Sequence, residues 1–177
     1  MLNSLVLIFK MSTIPTIPEI NFEGIVRLLK KCQDYICGEY DQADVDEADV
    51  EEEIVLEVVK KYFSSTSADP NAETKYGLTI LHHAVAAGFL EIVKYLIEDV
   101  GVDPHKKDNY ECNALSYASF YDSRYIGFFG SAKKSYMDIA LFLLEADVDT
   151  ELPPFALRRP MDKGPVGEYL RSIREKE

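Results

Sequence analysis

The sequence predicts an all-α fold: a short helical solenoid with irregular capping units at its two ends. The first observation is an internal repeat, since displacing the chain by 34 residues places segment 58–63 on segment 92–97 and Asp69 on Asp103. The second observation is helical periodicity, because apolar residues recur at three- and four-residue spacing within the units. A repeat of this length with two short helices is typical of units that stack on their neighbours.

The predicted units follow one another along most of the chain. Residues 1–19 are expected to form a flexible tail, because Pro15 and Pro18 prevent a continuous helix there. The remainder divides into an N-terminal capping unit at 20–63, repeats at 75–103 and 109–149, and a C-terminal capping unit at 155–177.

The second repeat is longer than the first. Segment 137–145 matches segment 90–98 at a displacement of 47 rather than 34, which indicates a 13-residue insertion between Ser119 and Tyr136. The insertion is predicted to lie between the inner and outer helices of its unit.

Amphipathic patterns in both capping units predict their buried faces. In the N-terminal unit these are Ile25, Leu28, Leu29, Cys32 and Ile36 on one helix, and Val50, Ile54, Val58 and Tyr62 on the next. In the C-terminal unit the residues expected to face inward are Val166, Tyr169, Leu170 and Ile173.

Charge restricts the classes of partner. The net charge is −12, and the segment 39–53 carries nine acidic residues and no Lys or Arg. Nucleic acid and anionic membranes would repel such a chain, so neither is expected as a partner. The acidic segment is interpreted either as a solvated loop or as an electrostatic arm for a basic segment of a partner protein.

The cysteine content favours a reducing compartment. Three cysteines, Cys32, Cys37 and Cys112, are too few and too scattered for a disulfide framework, so a cytoplasmic or nuclear location is expected. A monomer is expected as well. The apolar N-terminal run is too short for a signal peptide, and Met11 is an alternative start to Met1.

The segment Tyr76–Asp108 resembles an ankyrin repeat. The family pattern is Gly-x-Thr-Pro-Leu-His-x-Ala, a later Gly, then Glu-Ile/Val-Val-x-x-Leu-Leu and Ala-Asp. It is matched by Gly77, Thr79, Leu81, His82, Ala84, Gly88, Glu91, Ile92, Val93, Leu96 and Asp103, with Ile80 in place of proline. The following unit departs from the pattern, with Glu111, Asn113 and Ser116 where Gly, Thr and His are usual.

The resemblance implies a binding surface formed by loop tips and inner helices. It assigns Lys75, Tyr76, Leu78, Asn109, Tyr110 and Cys112 to the tips, and His83, Ala86, Ala87, Phe120 and Tyr121 to the inner helices. A second argument is compositional, because the aromatic insertion adds Arg124 and Tyr125 to Phe120 and Tyr121, as at interface hot spots. The alternative is that the insertion folds back over the C-terminal end of the solenoid.

The adjacent histidines raise the question of a metal site. His82 and His83 point about 100° apart on a helix, and neither has a ligand four residues later. A structural role is favoured, in which Thr79 caps the helix and contacts the His82 ring. The resemblance further implies that His82 bonds the neighbouring loop and ties two units together.

Other catalytic and ligand-binding motifs are missing. Cys32 and Cys37 lack zinc spacing, the acidic segment lacks the Gly and closing Glu of an EF-hand, and no nucleophile elbow, P-loop or dinucleotide fingerprint occurs. No catalytic residue, cofactor or metal is expected.

The predicted function is therefore non-catalytic, intracellular protein–protein interaction, as an adaptor, scaffold or inhibitor. One alternative is an acidic chaperone or escort for a basic client protein. A more remote alternative is an enzyme or the regulatory subunit of one.

Overall fold

The computed structural model describes residues 21–36, 52–129, 136–150 and 164–176. All regular elements within these ranges are helical, which confirms the all-α prediction. The predicted N-terminal tail, the alternative start at Met11 and nearly all of the acidic segment 39–53 lie outside the described residues. Chain contacts divide the protein into two units, residues 1–69 and 70–177.

The first unit contains helices α1, Phe22–Ile36, and α2, Glu52–Ser65. The Asn21 side chain accepts a hydrogen bond from the Gly24 amide at 2.9 Å and so caps α1. Along α1 the buried residues are Ile25, Val26, Leu28, Leu29 and Cys32, close to the predicted face.

The predicted face of α2 is partly wrong. Its buried residues are Val55, Val59 and Tyr62, which recur at four- and three-residue spacing, whereas Ile54 and Val58 are only half-buried. These two residues lie about 100° before Val55 and Val59, at the margin of the buried stripe.

The described residues of the second unit form five helices and one π-helical turn. Their bounds are α3 Ile80–Ala86, α4 Leu90–Tyr95, the π turn Leu96–Val100, α5 Ala114–Phe129, α6 Tyr136–Glu145 and α7 Pro165–Arg174. Helix α3 packs on α5 and α4 packs on α6, so inner helices meet inner helices and outer helices meet outer ones. None of the described helices is both long enough and apolar enough for a membrane crossing.

The core of the second unit comes from the repeat motif. Leu81, Ala84, Ile92, Val93 and Leu96 are all buried. Their counterparts one unit later, Leu115, Ala118, Ile139, Ala140 and Leu143, are buried as well. The same helix faces therefore build the core in both repeats.

The π turn Leu96–Val100 lengthens the first repeat. The Val102 amide donates to the Leu96 carbonyl at 2.9 Å, six residues back, whereas the Val148 amide donates to the Leu143 carbonyl at 3.1 Å, five residues back. One extra residue is thus held in a single wide turn, which ends at Gly101 in the left-handed conformation.

The insertion begins by extending the inner helix. Helix α5 has 16 residues, whereas its counterpart α3 has 7. Residues 130–135 and the side chains of Arg124 and Tyr125 lie outside the described part of the chain.

Helix α7 docks on the extended part of α5. The Val166 amide donates to Asp122 Oδ2 at 2.9 Å, and the Gly164 amide donates to Ser123 Oγ at 3.0 Å. Asp122 thereby caps α7 from another helix, and burial raises the pKa of its carboxyl while the Val166 hydrogen bond opposes that shift.

One residue predicted to face inward on α7 does not. Val166, Gly167 and Leu170 are buried, but Tyr169 is 39% exposed. Tyr169 lies about 100° from the centre of the face that the other three residues define. Ile173 is half-buried.

Candidate functional site

Two loop tips of the second unit are built in the same way. In the first tip, residues 74–78, the Thr74 amide donates to the Leu78 carbonyl and the Gly77 amide to the Thr74 carbonyl, both at 2.9 Å. In the second tip, residues 108–112, Asp108 and Cys112 repeat the first of these bonds at 2.9 Å. The 34-residue repeat is therefore also present in the backbone hydrogen bonds of the tips.

The two tips are in direct contact. The Asn109 amide donates to the Tyr76 carbonyl at 3.0 Å, and Asn109 Nδ2 donates to the Lys75 carbonyl at 3.2 Å. Tyr76 and Tyr110 occupy equivalent positions and are 49% and 58% exposed. Lys75 Nζ lies 4.8 Å from the centre of the Tyr76 ring. The result is a rigid pair of tips that presents two tyrosine side chains.

The second tip contains a strained residue. Glu111 has φ 62°, and its counterpart in the first tip is Gly77 with φ +78°. A residue with a Cβ is disfavoured in this left-handed region by about 1–2 kcal/mol, whereas glycine adopts it readily.

Replacing Glu111 by glycine should therefore stabilise the protein. We expect the free energy of unfolding to rise by about 0.5–1 kcal/mol, after the entropy that glycine costs in the unfolded chain. Urea denaturation followed by circular dichroism measures the change. Glu111→Ala is the control, because it removes the same charge and keeps the Cβ; an equal gain in both variants would attribute the effect to charge.

His82 is a structural histidine in this structure. Its Nδ1 accepts a hydrogen bond from the Thr79 amide at 3.1 Å and lies 2.9 Å from Thr79 Oγ1. Because Nδ1 is an acceptor, the proton of the neutral ring is on Nε2, which donates to the Cys112 carbonyl at 3.2 Å. His82 thus joins the start of α3 to the second tip, as the resemblance implies.

This arrangement makes stability depend on pH. Burial lowers the pKa of His82, against smaller opposing effects of the Cys112 carbonyl and Asp108. The histidine contribution is complete above the unfolded-state pKa of about 6.5. It is lost as pH falls below that value, by at most about 1.4 kcal/mol per pH unit until the folded-state pKa is reached.

We expect the His82 part of this pH dependence to disappear in His82→Gln. Urea midpoints measured between about pH 7.5 and pH 5 should fall less steeply in this variant than in the native protein. His105→Gln is the control, since His105 is exposed. Identical slopes in the native protein and the His82 variant would contradict the assignment.

At Asn113 and Ser116 the repeat motif usually has Thr and His. Here hydrogen bonds between Asn113 and Ser116 replace those that Thr79 and His82 make in the first repeat. Asn113 Oδ1 accepts from the Ser116 amide and hydroxyl, both at 2.9 Å. Asn113 Nδ2 donates to the Asp149 carbonyl at 2.8 Å, so this residue ties its helix to the following stretch of chain. Both side chains are buried.

A row of aromatic rings runs along α5 beside the second tip. We define the aromatic row as Tyr117, Phe120 and Tyr121. The rings of Tyr117 and Tyr121 stack with centres 6.4 Å apart, and Phe120 meets Tyr121 edge-on at 5.0 Å. The Tyr117 ring also meets the His82 ring edge-on at 5.3 Å. All three rings of the row are half-buried.

Sequence reasoning missed Asp108 and Tyr117. The Tyr117 hydroxyl donates to Asp108 Oδ2 at 2.8 Å, and Asp108 is buried. Burial and the adjacent Asp108 carboxylate raise the pKa of the Tyr117 hydroxyl. The available signal was the 34-residue alignment, which places Asp108 on Thr74 and Tyr117 on His83.

Three residues expected at the surface are buried. Cys112 is 4% exposed, and its amide and carbonyl both form hydrogen bonds with Asp108 that close the second tip. Burial raises the pKa of its thiol to about 12. Ala86 and Ala87 are buried where α6 begins, and the Tyr136 hydroxyl donates to the Ala86 carbonyl at 3.1 Å. These three residues are withdrawn from the candidate surface.

The other predicted tip residues differ in exposure. Lys75 and Asn109 are exposed, whereas Leu78 and His83 are half-buried. Beside the tips, Lys106 pairs with Glu73 and Lys107 Nζ lies 3.7 Å from Asp149 Oδ2. The charges of these two lysines are thus paired with acidic side chains. Tyr76 and Tyr110 are the large apolar side chains that the tips expose.

The described residues include no group of three or more His, Cys, Asp or Glu side chains placed to hold a metal ion. His82 uses both ring nitrogens in hydrogen bonds within the fold. Cys112 holds its proton because of its raised pKa, and a thiol is a much weaker nucleophile than a thiolate.

Comparison with known proteins identifies a repeat family. A family model described as ankyrin repeats matches residues 50–153 as three copies, which is more than half of the chain. That is one copy more than the two repeats delimited from the motif. No curated protein matches the chain.

Proposed function

Since the chain belongs to the ankyrin-repeat family, whose domains are in general protein–protein interaction modules, we propose that it binds a protein partner through its loop tips and the aromatic row. Its role is non-catalytic, as an adaptor, scaffold or inhibitor. The partner contacts Tyr76 and Tyr110 at the tips and the side chains of the aromatic row on α5.

The observation that carries this proposal is the pair of exposed tyrosines on hydrogen-bonded tips. Tyrosine supplies a large apolar area together with a polar hydroxyl, and it is enriched among the residues that dominate binding energy. The hydrogen bonds from the Asn109 amide and side chain to the backbone of the first tip fix both tips before a partner arrives. Binding to a preordered surface then loses little conformational entropy.

Affinity capture from a cell lysate tests the proposal. The baits are the native protein, Tyr76→Ser with Tyr110→Ser, and Phe120→Ser with Tyr121→Ser. The control bait is Tyr169→Ser, because Tyr169 is an exposed tyrosine on α7, which belongs to neither tip. Circular dichroism first establishes that every bait keeps its helix content.

We expect proteins captured by the native bait and the Tyr169 control to be lost with both aromatic baits. Equal capture by all four baits would refute the proposed surface. Loss with the Tyr169 bait alone would assign binding to the C-terminal helix.

A second candidate function rests on the acidic segment 39–53. Its nine acids favour an escort that shields a basic client protein, or an arm that steers a partner with a basic segment. A bait with these acids changed to Asn and Gln separates the two functions. An escort loses its client with this bait and at high salt, whereas a tyrosine-anchored module keeps its partner under both conditions.

We propose a cytoplasmic or nuclear location and a monomeric state. Support for the location comes from the scattered cysteines, of which Cys32 and Cys112 are buried thiols in the described part of the chain. Nucleic acid is not proposed as a partner because of the net charge of −12.

A further inference from the structure

We propose that Asp108 is a positioning residue for the binding surface, tying the second tip to the aromatic row through the Tyr117 hydroxyl. The inference rests on the proposed function, because it explains how the two parts of that surface keep one arrangement. Its first test uses no partner, so it can fail independently.

The two oxygens of the Asp108 carboxylate have different tasks. Oδ1 accepts hydrogen bonds from the Tyr110 amide at 2.8 Å and the Cys112 amide at 2.9 Å. Oδ2 accepts the Tyr117 hydroxyl at 2.8 Å. The carboxylate is buried, and three donors offset the cost of removing it from water.

The first tip shows what a tip requires. Its equivalent residue, Thr74, accepts hydrogen bonds from the Tyr76 amide at 3.4 Å and the Leu78 amide at 3.2 Å through a single hydroxyl oxygen. One oxygen is therefore sufficient to organise the turn. Asp108 has a second carboxylate oxygen that the turn does not need, and this oxygen accepts a hydrogen bond from the Tyr117 hydroxyl on α5.

Tyr117 passes the constraint to the other rings. Its hydroxyl is fixed by Asp108, one part of its ring meets His82, and Tyr121 stacks against it. Phe120 is positioned in turn by its edge-on contact with the Tyr121 ring. The Tyr110 amide and the Tyr117 hydroxyl are consequently bound by the two different oxygens of one carboxylate. A partner that spans both then meets a surface already in its bound arrangement.

Two variants remove the tie and keep its surroundings. Asp108→Thr copies Thr74, so the tip amides keep an acceptor while the Tyr117 hydroxyl loses its own. Tyr117→Phe keeps the ring and removes the hydroxyl. Nuclear magnetic resonance of isotope-labelled Tyr and Phe rings reports the order of the row, and amide hydrogen exchange reports the tip.

We expect both variants to shift and average the ring signals of Phe120 and Tyr121, while the Tyr110 and Cys112 amides stay protected. The double variant should show no larger change than either single one, because both remove the same bond. Asp108→Ala is the contrast, since it should also expose the two amides to exchange. A merely structural Asp108 would give unchanged ring signals in the Thr and Phe variants, and that result would overturn the proposal.

The partner captured by the native protein supplies the second readout. We expect its dissociation constant to rise about tenfold with either Asp108→Thr or Tyr117→Phe, the effect of one hydrogen bond to a charged group. Altered ring signals with unchanged affinity would also overturn the positioning role. Failure of the proposed function looks different: no partner depends on the aromatic baits, while the ring signals still respond.

Discussion

Truncation of Leu96 to alanine is expected to lower the free energy of unfolding by about 2–5 kcal/mol. Leu96 is fully buried, and its carbonyl accepts the Val102 amide that closes the π turn. The truncation leaves a cavity where the outer helix meets this turn. Because domains of this size are stable by about 5–15 kcal/mol, one such change removes a large share of the total.

Urea denaturation followed by far-ultraviolet circular dichroism measures the loss. Leu141→Ala is the matched control, since Leu141 is 38% exposed on the outer helix α6. Its substitution should change the free energy of unfolding by no more than about 0.5–1 kcal/mol. Similar losses in both variants would show that Leu96 does not occupy the core position assigned to it.

Replacement of Gly77 by alanine has the second largest expected effect, a loss of about 2–4 kcal/mol. Two costs add at this position. Gly77 has φ +78°, and an added Cβ would lie 2.7 Å from Asn109 Oδ1 and 2.9 Å from the Asn109 amide nitrogen. The backbone of the second tip would therefore have to move away from the first.

Gly101→Ala separates these two costs. Gly101 has φ +76°, and a Cβ there would meet nothing within 4 Å. Its substitution should cost about 1 kcal/mol or less, the conformational part alone. Tyr110 ring signals should shift in the Gly77 variant and stay in place in the Gly101 variant. Equal destabilisation of both would mean that the tips are not in close contact.

The repeat motif predicted most of the second unit. Residues such as Leu81 and Ile92 are buried because the motif specifies the apolar face of each helix. Equivalent helices pack on equivalent neighbours, so the same positions are buried in each repeat. The family match and the helical architecture followed from the same residues. The tyrosines at positions 76 and 110 were also found in this way, since loop positions stay aligned at 34 residues.

What the sequence did not reveal depends on contacts between distant residues. The family resemblance placed Ala86 at the surface, but the Tyr136 hydroxyl, 50 residues later in the chain, donates to its carbonyl. Asp122 is buried where the docking of α7 brings the Val166 amide to its carboxylate, and no sequence motif marks it. Tyr117 is one of eleven tyrosines until the second tip places Asp108 beside its hydroxyl. Spacing along a helix carries no information about such partners.

The π turn Leu96–Val100 has a consequence for how such a chain can change length. A residue inserted into a regular helix rotates everything after it by about 100° and would turn buried side chains outward. Here the extra residue is confined to one wide turn at the end of an outer helix, and Gly101, in the left-handed conformation, ends that helix directly afterwards. The gain or loss of a single residue at this point would leave the phase of α5 and both tips unchanged, so a unit can change in length while its tips keep their arrangement.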